Sequence, residues 1–83
     1  MTNTPRTVGI GLISVGWMGN LHTRAYEALS KFYPELNVEL ELIIAADTSD
    51  DRLKYAQEVL GYPAVSTNYM DVLNNPKVDV VSI

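Results

Sequence analysis

Val8-Gly9-Ile10-Gly11-Leu12-Ile13 is an apolar run with no polar alternation. It breaks into Ser14-Val15-Gly16-Trp17-Met18-Gly19, and an amphipathic helical pattern starts near Trp17. Few folds accept that order. A strand without a polar face has to be covered on both sides, as strands of parallel sheets are. A parallel sheet needs a crossover after each strand, usually a helix. A tight glycine-bearing turn between the two is how such a unit starts.

The rest of the chain repeats the alternation of strand and helix. Residues 1–6 form a polar tail expected to be disordered. The first strand is read as Thr7 to Ile13. The first helix is read as Trp17 to Phe32, with Met18, Leu21, Ala25, Ala28, Leu29 and Phe32 as its apolar stripe and Pro34 as its stop. Val38 to Ala46 is the second strand. It alternates Val38, Leu40 and Leu42 with Glu39 and Glu41, then becomes wholly apolar. Thr48 or Ser49 caps a second helix, whose first turn carries Asp50 and Asp51. Leu53, Ala56, Val59 and Leu60 are its apolar stripe, and Gly61 ends it. Ala64 to Ser66 is a short third strand. Asn68 caps a short helix through Leu73, with Asp71 as the reciprocal cap. Asn74-Asn75-Pro76 turns the chain into a fourth strand, Val78 to Ile83. Strand–helix alternation of this kind gives an α/β fold: a Rossmann-type parallel sheet in the order 3-2-1-4. The first two helices fall on one face and the third on the other. The whole chain, 1–83, reads as the N-terminal segment of one dinucleotide-binding domain, truncated after its fourth strand.

The chemistry follows from that geometry. A helix N-terminus presents unpaired N–H groups and attracts a pyrophosphate. Glycines let backbone approach the phosphates, and an acid at the tip of the second strand accepts hydrogen bonds from the adenosine ribose. Gly16 and Gly19 keep the spacing of the second and third glycines of the Gly-x-Gly-x-x-Gly fingerprint, and Ser14 stands where the first belongs. A frame built on Gly9 and Gly11 would put the turn inside the apolar run and is rejected. Asp47 follows Leu42-Ile43-Ile44-Ala45-Ala46. It comes later than the usual ~20 residues beyond the motif, and Tyr33 to Asn37 absorbs the excess. The candidate cofactor-binding residues are therefore Ser14, Gly16, Trp17, Met18, Gly19 and Asp47. Trp17 either packs over the cofactor or anchors the helix start. Asp47 would repel a 2′-phosphate, and Arg52 lies a turn into the second helix, so NAD is expected in preference to NADP. His22, the lone histidine, is read as structural.

Ser14-Val15-Gly16-Trp17-Met18-Gly19-Asn20-Leu21-His22 resembles the Gly-x-Gly-x-x-Gly-x-x-His signature of the glucose–fructose oxidoreductase and inositol dehydrogenase family (Gfo/Idh/MocA). Ala45-Ala46-Asp47 and its capped helix continue the resemblance, as does the Asn75-Pro76-Lys77-Val78-Asp79 run before the fourth strand. The resemblance implies an NAD(P)-dependent oxidoreductase acting on a sugar, polyol or related CH–OH substrate. It implies a catalytic Lys in a Glu-Lys-Pro motif, and that motif is absent from these 83 residues. No residue here is assigned a catalytic role, and the segment alone is expected to be inactive. The Ser14 departure bears on the geometry of the turn.

Composition sets the remaining limits. Net charge is −4 and the six Lys and Arg are scattered, which argues against a nucleic-acid partner. There is no cysteine and a single histidine, so neither a disulfide nor a thiolate or His-cluster metal site is expected. Zero cysteine suits a reducing compartment, and a cytoplasmic location is expected. Arg6 before an apolar stretch superficially resembles a signal peptide, but glycines interrupt the stretch and no cleavage motif follows. No run approaches the ~20 apolar residues of a membrane span. Homo-oligomerisation is expected, because the fourth strand leaves an apolar edge. Two rival readings remain: a non-catalytic nucleotide-binding or redox-sensing module, and a fragment with no activity of its own.

Overall fold

The computed structural model describes residues 6–32, 35 and 37–83, without the side chains of 17–20, 30 and 32. The elements are β1 (Arg6–Ile13), α1 (Gly16–Phe32), β2 (Val38–Ala46), α2 (Asp50–Tyr55), β3 (Ala64–Ser66), α3 (Met70–Leu73) and β4 (Val80–Ser82). A π-helical turn, Ala56–Leu60, continues α2. All four strands are parallel, in the order β3-β2-β1-β4. This is the Rossmann-like unit that the alternation implies, with β1 at the centre because the chain returns beside it after β3.

Boundaries differ from expectation in a few places. Arg6 belongs to the sheet, opposite Val38, and its N–H donates to the Asn37 carbonyl at 3.1 Å. The tail expected over 1–6 thus loses its last residue, and 1–5 lie outside the described residues, as do Tyr33, Pro34 and Leu36, where the helix stop was read. The helix α1 starts at Gly16, not Trp17. The strand β4 is limited to Val80–Ser82. Asp79 is held off it by a reciprocal pair with β1: its N–H donates to the Gly9 carbonyl, and its Oδ2 accepts from the Gly9 N–H, both at 2.8 Å.

The register of β1 against β2 slips once. Ile10 opposes Leu42 while Gly11 opposes Ile44, so Ile43 is a bulge. The slip puts two successive isoleucines, Ile43 and Ile44, in the same cluster with Ala46 and Val72 of α3. The opposite face holds Leu12, Val15, Ala45, Ala56, Leu60 and Tyr62. There α1 is tied in by buried Thr23, whose hydroxyl lies 2.9 Å from the Tyr62 hydroxyl. So α1 and α2 share one face and α3 covers the other.

The stripe expected to anchor α1 packs only in part, with Ala28 half-buried. Leu21, Ala25 and Leu29 are exposed, while Thr23 is fully buried; Met18 and Phe32 lie outside the described side chains. The physical reason is pairing. Buried polar groups are tolerated when each finds a partner, and Thr23 has Tyr62. His22, half-buried, has Ser82 of β4: Nδ1 and Oγ are 2.6 Å apart. A second expectation also shifts. Asp71 does not reach back to the Asn68 N–H. It bonds the Ser66 hydroxyl instead, and that oxygen accepts from the Asn68 N–H at 3.0 Å. Asn68 Oδ1 does accept from Met70 N–H, at 3.0 Å.

Candidate functional site

The C-terminal ends of β1, β2 and β3 are knitted into one edge. Ser14 N–H donates to the Ala46 carbonyl at 2.8 Å, and Asp47 N–H to the Ser66 carbonyl at 3.1 Å. The chain then has to turn sharply from β1 into α1. Ser14 takes φ of 70° and Gly16 φ of 24° to do so. Between them Val15 turns inward and is buried in the core under α2. The turn is therefore built by two left-handed residues around an apolar plug. Positive φ is ordinary for glycine and costly for serine, so Ser14 takes here a conformation that glycine adopts more readily. A Cβ on Gly16 would meet nothing within 4 Å: the space over that residue is open. Backbone of Trp17, Met18 and Gly19 forms the first turn of α1, and their side-chain surroundings lie outside the described residues.

Asp47 sits at the tip of β2 and links the turn after β1 to the start of α2. Its Oδ2 accepts from the Val15 N–H at 2.9 Å, and its Oδ1 accepts from the Ser49 N–H at 2.9 Å. One carboxylate thus fixes both the glycine turn and the start of α2. Ser49 caps that helix, its hydroxyl accepting from the Arg52 N–H at 3.4 Å. The Arg52 guanidinium lies 3.8 Å from Asp47 Oδ2.

A cleft of about 230 Å³ opens at this edge, lined by Ile13, Ser14, Ala46, Asp47, Thr48, Arg52, Thr67 and Tyr69. It is floored by strand ends and walled by the first turn of α2 and the loop into α3. Of the residues singled out in the sequence, Ser14 and Asp47 line it. Thr67 and Tyr69 were missed as lining residues; no periodicity marks them, because they come from a loop. Tyr69 is 55% exposed, so it is an aromatic face left free of the core. His22 is engaged with Ser82 in the region between α1 and β4 and does not line the cleft. Among the described residues no group of His, Cys, Asp or Glu could hold a metal ion, and no helix is long and apolar enough to cross a membrane.

No protein-family model matches the chain, and no curated protein sequence does. Solved structures do. An NAD-binding oxidoreductase from Klebsiella pneumoniae is 33% identical, with a TM-score of 0.80 over 90% of this chain and 20% of that one. An oxidoreductase domain protein from Kribbella flavida is 25% identical, TM-score 0.80, over 92% and 20%. A levoglucosan dehydrogenase in complex with NADH and levoglucosan has a TM-score of 0.84 over 94% and 21%, at 23% identity, which is a likeness of fold. The chain thus spans about a fifth of the length of the proteins it is similar to.

Proposed function

We propose that this chain is the adenosine- and pyrophosphate-binding part of a nicotinamide-dinucleotide-dependent oxidoreductase of the glucose–fructose oxidoreductase and inositol dehydrogenase type, acting on a sugar, polyol or related CH–OH substrate. The observation that carries the reading is the Asp47 carboxylate joined to the Val15 N–H across the Ser14-Val15-Gly16 turn. A turn and a helix cap do not need to be tied to each other, whereas a site that grips a pyrophosphate and its ribose together does. The residues present suit that ligand. Open space over Gly16 admits a phosphate, the first turn of α1 supplies N–H donors, Asp47 borders the cleft where a ribose would lie, and Tyr69 offers a face for adenine. When bound, the dinucleotide would supply the hydride chemistry. Ser14, Gly16 and Asp47, with the backbone of Trp17, Met18 and Gly19, would hold and orient its ADP half. NAD is the form that a carboxylate at Asp47 favours. The similarity to an NAD-binding oxidoreductase at 33% identity supports the class; the substrate class rests on the sequence resemblance.

The test is a titration of the chain with NAD, ADP-ribose and AMP, followed by amide chemical shifts. Saturable shifts concentrated at Ser14 to Gly16 and Asp47 to Ser49 are expected. Shifts scattered over the surface, or none up to millimolar ligand, would leave the turn and cap as purely structural features.

A further inference from the structure

Resting on the reading above, we propose that Arg52 makes this site tolerant of a 2′-phosphate, so that the chain binds NADP as well as NAD with little discrimination. Asp47 alone would predict strong rejection, but the carboxylate does not face the cleft alone. Both of its oxygens are engaged by backbone N–H groups, from Val15 and from Ser49, and its side chain is only 4% exposed. The Arg52 side chain beside it is 58% exposed and lines the same cleft. The group best placed to meet a substituent on the ribose is therefore a cation.

The contact between the two also suits an exchange of partners. At 3.8 Å it is a loose ion pair, with the Arg52 side chain on its solvent side and Asp47 buried. A ribose diol leaves the guanidinium paired with Asp47. A 2′-phosphate, with more charge and three acceptor oxygens, draws it away, and a planar fork of donors is suited to phosphate. Thr48 is exposed and lines the cleft beside it, offering a further hydroxyl. Asp50 and Asp51 share the first turn of α2 but do not line the cleft.

The experiment compares Kd for NAD and NADP, and for AMP and adenosine 2′,5′-bisphosphate, on the 83-residue chain and on Arg52→Gln and Arg52→Lys. The wild-type NADP-to-NAD ratio is expected within about tenfold. Arg52→Gln is expected to raise that ratio by about tenfold or more, the loss of one charge-assisted contact, and Arg52→Lys to restore most of it. NAD binding with NADP rejected by more than about a hundredfold overturns the inference and leaves the dinucleotide site standing. A ratio unmoved by Arg52→Gln overturns it too. Binding of neither dinucleotide overturns the site reading and this inference with it.

Discussion

Ser14 holds φ of 70° at an exposed turn, a conformation that costs an L-residue about 1–2 kcal/mol. Replacing it with glycine removes that strain and adds some unfolded-state entropy. Ser14→Gly is expected to stabilise the chain by about 0.5–1 kcal/mol net, and Ser14→Val to destabilise it, because a β-branched side chain fits left-handed backbone worst. Urea midpoints of the two variants check this; a Ser14→Gly chain that melts earlier than wild type would mean the serine side chain holds something that the turn needs. Tyr69 gives a second residue-scale prediction. If adenine stacks on its exposed face, Tyr69→Ala weakens NAD and AMP binding by about tenfold, within the 1–3 kcal/mol of a base–aromatic stack, at unchanged stability. Calorimetric titration with both ligands checks it, and equal affinity in the two chains sinks the stacking role. At this scale the placement of Ser14, Gly16 and Asp47 at the ends of β1 and β2 was legible in the sequence, because each has a fixed place relative to a strand end. The bond from Asp47 to Val15 was not, since it joins residues far apart in sequence and depends on the lateral order of β1 and β2. Arg52 was read as remote because spacing along a helix says nothing of how the helix is aimed.

The element that most restricts variation is β1, and the reason is its two interior glycines. A Cβ on Gly9 would come 1.8 Å from the Lys77 carbonyl oxygen, and one on Gly11 would come 2.6 Å from Val72 Cγ1. They are packing residues on the α3 face, not phosphate-turn residues, which is why the frame that used them as a fingerprint fails. Gly9→Ala meets rigid backbone and is expected to cost ~3 kcal/mol or more, while Gly11→Ala meets a side chain that can shift and is expected to cost about 1–3 kcal/mol. Chemical denaturation of both, with Gly16→Ala as a turn comparison, measures the difference; a Gly9→Ala chain as stable as wild type would show that the Lys77 loop yields freely. The helix α1 teaches the opposite lesson. Its period was legible, but the part of it that packs was not, because Thr23 and His22 carry no apolar signal; Thr23 is buried against Tyr62 and His22 is half-buried against Ser82. The Thr23–Tyr62 pair also has a pH signature. Burial raises the Tyr62 phenol above its ordinary 10.0, against a smaller lowering by the Thr23 hydrogen bond. The fold thus holds the neutral phenol, so this contribution is complete below the unfolded value and is lost as pH rises through the folded one. As pH rises above the ordinary 10.0, wild type should lose more stability than Tyr62→Phe, which itself is expected to cost about 1 kcal/mol at neutral pH. Parallel slopes in the two chains would remove Tyr62 from the account.

For the whole molecule the balance of covered and uncovered surface decides behaviour. The strand order was legible because parallel crossovers are right-handed and return beside the starting strand; the extent of β4 was not, because at Asp79 a side-chain carboxylate takes the Gly9 N–H in place of a backbone carbonyl. What results, among the described residues, is a sheet whose last strand, Val80–Ser82, pairs with β1 on one side only. Ile83 beside it is 82% exposed. On the α3 face, among the described residues, one four-residue helix does the covering, and Tyr69, Met70 and Leu73 stand exposed on and before it. On the outside of α1, Leu21, Ala25 and Leu29 form a second exposed apolar row. A chain of this size buries only about 60–65% of its extended surface, so it has little stability with which to tolerate such patches in water. An unpaired edge and exposed apolar rows both lower their free energy by meeting another copy. The 83-residue chain is therefore expected to self-associate at low micromolar concentration, with melting that shifts upward as concentration rises. Sedimentation velocity across a hundredfold dilution, paired with the same series on Val80→Lys, separates the two routes. Val80 is an exposed edge residue, and a lysine there discourages strand pairing while leaving both apolar rows intact. Loss of association in that variant assigns it to the β4 edge, and persistence assigns it to the helical faces. A wild-type chain that stays monomeric at every concentration and melts cooperatively would show that the small core under α2 and the α3 cluster suffice alone.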